Sequence, residues 1–187
     1  NDIRHNFCKN KTKLRILIKK EAFMLFFKIS LIKIKIFLII FLFFSNFNKV
    51  WASNFITRGH YVIDLGQKIE WLTCPVGMVW QNETCKGTPV KLKFDQIKTA
   101  IDQANDQLGG NWRLPNRKEL EYLVCKSCSS VRIDSKIFPN TPAESFWTNE
   151  INGWQPKFMW TVNFFTGHTF GRFPPFIPNY VRLVRDR

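Results

Sequence analysis

The chain has 187 residues, 16% of them aromatic, with 28 Lys and Arg against 14 Asp and Glu, a formal net charge of +14 at pH 7. The first 52 residues hold 11 of the basic and 2 of the acidic side chains, so residues 53–187 keep a net charge of only +5. This mildly basic surplus is compatible with binding of a polyanion but is not diagnostic of it, and we expect no nucleic-acid partner. The remaining 135 residues are the size of one domain with its own core.

The N-terminal segment has the pattern of a targeting sequence. Three lysines precede the unbroken apolar run 36–44, and Ala52 is a small residue of the kind that signal peptidase requires. We therefore expect a signal peptide over residues 24–52, with Ser53 as the new N-terminus. An uncleaved membrane anchor is the alternative, although a span needs about 20 apolar residues. Residues 1–23 are expected to lie upstream of the natural start, with a basic nucleic-acid-binding arm as the alternative.

The first elements after residue 53 are predicted to be two short strands and a helix. The strands cover Tyr61–Ile63 and Lys68–Leu72, on either side of a turn at residues 64–66. Apolar residues then recur at three- and four-residue spacing, which predicts a helix over Phe94–Gln107. The pair Gly109-Gly110 ends that helix.

A capping-box pattern begins a second helix, because Asn116 is a good N-cap and Glu119 stands three residues later. This helix is predicted over Arg117–Cys125. Four strands are expected after it: Ser145–Thr148, Phe158–Phe165, Thr169–Arg172 and Tyr180–Arg185. Because Phe158–Phe165 has large apolar groups on both faces, we expect it inside the sheet. The prediction is one α+β domain over residues 53–187, with two helices packed on a small, mostly antiparallel sheet.

Four cysteines lie in this domain, and an even number in a small exported domain favours disulfides. The pairs closest in sequence, Cys74 with Cys85 and Cys125 with Cys128, are the preferred connectivity among three. Two alternatives stay open. A zinc site needs two short ligand spacings, and only the second pair has one. The same Cys-x-x-Cys could be a redox couple, although it lacks a thioredoxin-like context.

A series of motifs in fixed order then points to a family. The motifs are Cys74-Pro75-Val76-Gly77, Cys85-Lys86-Gly87, Gly109-Gly110-Asn111-Trp112-Arg113-Leu114-Pro115-Asn116, Lys118-Glu119-Leu120, Phe138-Pro139-Asn140-Thr141-Pro142, Phe146-Trp147-Thr148, Trp160-Thr161-Val162-Asn163-Phe164 and Val181-Arg182-Leu183-Val184-Arg185. Together they resemble the DUF1566 family, also called the Lcl C-terminal domain after the Legionella collagen-like adhesin. The resemblance covers nearly all of the chain from Tyr61 to Arg185.

The resemblance implies a secreted, periplasmic or cell-surface module, with an architecture related to C-type lectins and to formylglycine-generating-enzyme-like folds. In the adhesin this domain is associated with attachment and with binding of sulfated polysaccharides. The chain departs from the adhesin in having no collagen-like Gly-x-y stalk. Multivalent display through a stalk is therefore not carried over, and homo-oligomerisation is left open.

Most of the large aromatic residues are expected in the core. Trp112 and Leu114 are predicted to be buried, with Arg113 paired to a buried carboxylate or carbonyl, and Trp147 and Trp160 are treated in the same way.

Trp154 differs from the other tryptophans, because turn-forming residues on both sides predict an exposed loop. Loops on a rigid scaffold commonly carry binding groups, so we expect the binding surface at residues 149–157 and 170–179. On a continuous last strand Arg182 and Arg185 would face opposite sides. The candidate ligand-binding residues are Trp154, Lys157, Arg172, Asn179 and Arg185.

Nothing in the sequence indicates an enzyme. It has no Gly-x-Ser-x-Gly, His-Glu-x-x-His or phosphate-loop motif, and His60 and His168 have no carboxylate partner at a telling spacing. The sugar-binding calcium triplets of C-type lectins are also missing, so we expect no metal and no cofactor. The expected function is adhesion to an extracellular glycan or sulfated polyanion. A protein-binding or structural module of the cell envelope, with an envelope or host protein as its partner, is the alternative.

Overall fold

The structure is a computed structural model that describes residue 35 and residues 54–187. The predictions for residues 1–23 and for the signal peptide at 24–52 lie outside these described residues, apart from residue 35. Within them, no helix is both long enough and apolar enough to cross a membrane.

Residues 54–187 form short strands and two α-helices. The strands are β1 (Phe55–Arg58), β2 (Tyr61–Asp64), β3 (Ile69–Leu72), β4 (Met78–Gln81), β5 (Thr84–Gly87), β6 (Lys91–Leu92), β7 (Ser145–Ile151), β8 (Met159–Asn163), β9 (His168–Phe173), β10 (Asn179–Tyr180) and β11 (Val184–Asp186). A 3₁₀ turn at Phe94–Gln96 leads into α1 (Ile97–Leu108), and α2 is Arg117–Tyr122. The α+β class is confirmed.

The strands form three sheets, where the sequence predicted one. Their orders are β1-β2-β3-β11, β6-β10-β7-β8-β9 and the hairpin β4-β5. All pairings are antiparallel except that of β10 with β7. The expected interior strand is confirmed as β8, which lies between β7 and β9.

The turn between β2 and β3 depends on one buried carboxylate. Oδ1 of Asp64 accepts hydrogen bonds from the backbone N–H groups of Gly66 at 2.9 Å and Gln67 at 3.0 Å. The Asp64 carboxylate thus serves as the hydrogen-bond acceptor for two N–H groups of the turn, as Asp commonly does in turns. The predicted strand-turn-strand at residues 61–72 is confirmed.

The second helix begins as predicted but is shorter. Asn116 Oδ1 accepts from the Glu119 N–H at 2.8 Å, and Glu119 Oε2 accepts from the Asn116 N–H at 2.7 Å. This reciprocal pair is the capping box expected from the sequence. The helix ends at Tyr122 because the Cys125 N–H donates instead to the carbonyl of Arg132, which turns the chain into a loop.

Two groups of buried side chains form the core. One contains Val62, Ile69, Trp71, Leu120, Leu123, Ile133, Phe138, Phe146, Val162, Phe164 and Val184. The other contains Leu72, Ile97, Trp112, Leu114, Trp147, Met159, Val181 and Leu183. The four-stranded and the five-stranded sheet both contribute side chains to each group, so the core joins these two sheets.

The predicted strand Tyr180–Arg185 was wrong in its continuity. Tyr180 ends β10 in the five-stranded sheet, and Val184 begins β11 in the four-stranded sheet. Residues 181–183 cross between the two sheets and are buried. Arg182 and Arg185 therefore do not occupy opposite faces of one strand, because the chain changes sheets between them.

Arg182 is fully buried in this crossing segment. Its guanidinium donates to the carbonyls of Leu72, at 2.8 Å, and Thr73, and to the hydroxyl of Thr141 at 2.6 Å. It also lies 4.8 Å from the centre of the Phe138 ring. Burial lowers the pKa of Arg182 to about 9, so the side chain is still charged at neutral pH.

Both expected disulfides are confirmed. The Cα atoms are 5.5 Å apart in the Cys74–Cys85 pair and 5.4 Å apart in the Cys125–Cys128 pair. The first bridge ties the residues before β4 to β5, and the second closes the loop after α2. A zinc site would need these sulfurs as free thiolates, and the pairing uses all four. The residues that the structure describes contain no cluster of side chains suited to a metal ion.

Candidate binding surface

The Trp112–Asn116 motif is part of the fold's framework. Trp112 is buried, and its indole N–H donates to the carbonyl of Gly109 at 2.9 Å. The Arg113 guanidinium forms two bonds to the Glu119 carboxylate, at 2.9 and 2.8 Å, and a third to Asp186 at 2.6 Å. These carboxylates raise the pKa of Arg113 above its usual value. The expected pairing of Arg113 with a buried carboxylate is confirmed.

Trp154 is the most exposed large apolar residue described. Its side chain is 94% exposed, in the loop that joins β7 to β8. The loop itself is ordered by Asn152, whose buried side chain accepts from the N–H groups of Trp154 at 2.9 Å and Gln155 at 3.2 Å. An indole held out into solvent by a fixed backbone contributes nothing to the core, and aromatic side chains of this kind are frequent binding anchors.

The same asparagine connects the loop to the neighbouring edge strand. Its Nδ2 donates to the carbonyl of Gly171 in β9 at 2.5 Å. A Cβ at Gly171 would lie 2.7 Å from the Trp160 ring, so the absence of a side chain lets this ring pack against β9. The position of the Trp154 loop is therefore set by the sheet.

Strand register places a second loop at the same end of the sheet. Ile151 at the end of β7 pairs with Met159 at the start of β8, and Met159 pairs with Phe173 at the end of β9. The chain then continues into the loop at residues 174–178. Ile151 and Phe176 are 59% and 68% exposed. Ile151 thus adjoins the Trp154 loop, and Phe176 lies in a loop that begins at the same end of the sheet.

Two cationic side chains lie among these residues. Lys157 is exposed and its amino group lies 5.3 Å from the centre of the Phe158 ring, while Arg172 is exposed on β9. Neither forms an ion pair with another described residue. The acidic residue of the Trp154 segment, Glu150, is 3.7 Å from Arg117 and also accepts its backbone N–H. We call Ile151, Trp154, Lys157, Arg172 and Phe176 the sheet-end surface.

The other two candidate residues lie elsewhere. Asn179 is 5% exposed, and its Nδ2 donates to the carbonyl of Ile177 at 3.2 Å, so its side chain orders a loop. Arg185 belongs to β11 in the four-stranded sheet, where its Nη2 lies 2.6 Å from the Glu70 carboxylate. Its guanidinium also lies 4.6 Å from the centre of the Trp112 ring. The structure therefore places Trp154, Lys157 and Arg172 at one end of the five-stranded sheet, buries Asn179 at the end of the loop that carries Phe176, and puts Arg185 in the other sheet.

A family model described as the Lcl C-terminal domain matches residues 60–185. The chain belongs to the Lcl C-terminal domain family. The match begins just before β2 and ends within β11, so it includes the sheet-end surface and both disulfides. A search of curated proteins and a search of solved structures each returned no match. Membership in the family suggests an adhesin-like, extracellular or surface domain.

Some residues of this Lcl C-terminal domain surface fall within the predicted segments 149–157 and 170–179 but were not named as candidates. Asn152 carries the strongest signal among them, because Asn before Gly commonly orders a turn through its side chain. Phe176 is flanked by Pro174, Pro175 and Pro178, a context typical of loops and unsuited to core strands. Ile151 gives no sequence signal, since its exposure depends on where β7 leaves the sheet.

Proposed function

We propose that this domain is an exported, non-catalytic binding module that attaches to sulfated or otherwise anionic carbohydrate through its sheet-end surface. The observation that carries the proposal is Trp154, 94% exposed on a loop that Asn152 fixes to the sheet, beside Lys157 and Arg172.

The indole supplies the apolar part of such a site. One face of a sugar ring is lined by C–H groups, and a rigid aromatic plane buries them with little loss of conformational freedom. Because Asn152 already orders the Trp154 backbone, binding does not have to order the loop. The exposed Ile151 adds apolar area beside this loop, and the exposed Phe176 adds more in the loop that follows β9.

The cations supply the charged part. A guanidinium donates two parallel hydrogen bonds to an oxyanion such as sulfate, and an ammonium acts as a compact charge. Lys157 and Arg172 are without ion-pair partners among the described residues, so an anionic ligand would not have to break such a pair. Glu150 is engaged with Arg117, which reduces repulsion of an anionic ligand.

The proposal includes export and a C-type-lectin-like architecture. Two disulfides in a small domain favour an oxidising compartment. Two helices beside mostly antiparallel strands are compatible with the lectin-like architecture that the family resemblance implies.

The second candidate is a protein-binding or structural module of the cell envelope. The exposed apolar residues Ile151 and Phe176 favour it, because aromatic and aliphatic anchors are typical of protein interfaces. Such an apolar contact would depend little on salt, whereas attachment to a sulfated polymer through Lys157 and Arg172 would weaken as salt rises.

The test compares binding of the oxidised chain to a sulfated polysaccharide and to the same polymer after chemical desulfation. We expect binding to the first and much weaker binding to the second. Trp154→Ala should weaken binding, and Leu65→Ala, a change at another exposed apolar residue, is the matched control. Equal affinity for both polymers would contradict an anion-binding site, and equal binding by Trp154→Ala would move the site away from this loop.

A further inference from the structure

A cavity of about 540 Å³ lies away from the sheet-end surface, between α1 and the disulfide-linked hairpin β4–β5. Its walls include Val76, Met78 and Trp80 on the hairpin side and Ala100 and Ala104 on the helix. The volume falls within the roughly 300–1,000 Å³ typical of small-molecule sites. Two small residues one helical turn apart keep α1 from filling the space.

The lining carries no permanent charge. None of the lining residues is Asp, Glu, Lys or Arg, and the one titratable side chain among them is His60. An ionised ligand entering such a site would lose hydration without gaining a counter-charge, and this loss of hydration is unfavourable. The chemistry of the walls therefore selects a neutral ligand.

Several polar side chains of the lining have unused hydrogen-bonding groups. The amides of Gln103 and Gln107, the His60 ring nitrogens and the indole N–H of Trp80 make no hydrogen bond with a described residue. Gln103 and Gln107 are four residues apart, so they lie on one face of α1. Each amide offers both a donor and an acceptor. Hydroxyl groups also act as both, so a row of hydroxyls matches this pair.

We propose that this cavity is a second binding site, for a neutral saccharide of one or two rings. Apolar side chains, Trp80 among them, would contact the C–H face of a sugar ring, and Gln103 and Gln107 would bond neighbouring hydroxyls. The disulfide Cys74–Cys85 and the buried Leu72 and Leu183 hold the floor in place. The site does not depend on the proposed polyanion binding, because it shares no residue with the sheet-end surface.

The experiment is calorimetric titration of the full, oxidised chain with the neutral disaccharides cellobiose, diacetylchitobiose, lactose and mannobiose, at low and high salt. At least one disaccharide should bind, with an affinity that salt leaves unchanged. The double variant Gln103→Ala/Gln107→Ala should lose about tenfold in affinity, the loss expected for two hydrogen bonds between neutral groups. Ala is a good helix former, so α1 should be kept. Asp106→Ala, exposed on the same helix and outside the cavity, is the matched control.

A second variant, Ala100→Leu, should weaken binding by narrowing the cavity at its helix wall while keeping a helix-favouring residue. The sheet-end double variant Lys157→Gln/Arg172→Gln should bind the disaccharide as the parent does, which separates the two sites. Three results would overturn the proposal: no binding of any of the four sugars, binding that both cavity changes leave unchanged, or binding of octanol in place of the sugars.

Discussion

The side-chain amide of Asn152 donates to the carbonyl of Gly171, and this bond joins the loop that carries Trp154 to the strand that carries Arg172. The same side chain accepts two backbone N–H groups of its own loop. A single buried residue thus fixes the relative positions of the aromatic and cationic parts of the sheet-end surface.

Replacing that residue should affect binding more than stability. Asn152→Ala removes three hydrogen bonds at a buried position, so we expect a loss of about 1–3 kcal/mol in the free energy of unfolding. Under conditions in which the variant is fully folded, its affinity for a sulfated polysaccharide should still be lower than that of the parent. Asn149→Ala, at an exposed asparagine of the same segment, is the control. Unchanged binding would show that loop order does not matter.

Two tryptophans should behave in opposite ways. Trp112 is buried and bonded to Gly109, so Trp112→Ala should destabilise the domain by about 3–5 kcal/mol. Trp154 is almost fully exposed, so Trp154→Ala should change stability by less than about 0.5 kcal/mol while weakening ligand binding. Chemical denaturation of both variants measures the difference. Equal losses of stability would contradict the exposed position of Trp154.

The sequence predicted what depends on local signals. The capping box at Asn116 and Glu119 and the turn at Asp64 are read from neighbouring residues, and both are present. The break after Tyr180 was not predictable, because the residues that follow are apolar enough to continue a strand. What separates β10 from β11 is the burial of Arg182 against carbonyls distant in sequence.

The candidate site shows the same division. The exposure of Trp154 could be predicted from its turn-forming neighbours. The positions of Asn179 and Arg185 could not, because the burial of Asn179 and the pairing of Arg185 with Glu70 are set by the tertiary fold. The cavity beside α1 had no signal either. Its lining combines residues from the first disulfide segment and from a helix that follows it in the chain.

The four cysteines at 74, 85, 125 and 128 should give no reactive thiol in the oxidised protein. The chain has five cysteines, so thiol titration of the denatured, unreduced chain should detect at most one, from Cys8. Detection of two or more further reactive thiols would show that at least one of the two disulfides is not formed. Replacing Cys74 and Cys85 together with Ser should destabilise the domain by about 3 kcal/mol, since the bridge closes a short loop.

Asp186 should contribute to stability above acidic pH. Its hydrogen bond with Arg113 holds the pKa of this carboxyl below its ordinary value. The unfolded chain therefore takes up the proton first as the pH falls, so the contribution is present above the unfolded pKa of 3.8 and is lost through the lower folded pKa. Asp186→Asn should make the fall in Tm below about pH 4 shallower, whereas Asp106→Asn should not. Identical acid profiles for Asp186→Asn and the parent would contradict the pairing. Because Asp186 is largely exposed, the effect is expected to be small.

The salt dependence of binding to a sulfated polysaccharide tests the central claim most directly. The association constant of the oxidised chain should fall as salt is raised, and Lys157→Gln/Arg172→Gln should both weaken binding at low salt and flatten that dependence. The double variant Lys68→Gln/Lys98→Gln, at exposed cations outside the sheet-end surface, should bind almost as the parent does. Binding that ignores salt, or that the first double variant leaves unchanged, would contradict the claim that the sheet-end surface holds an anionic glycan.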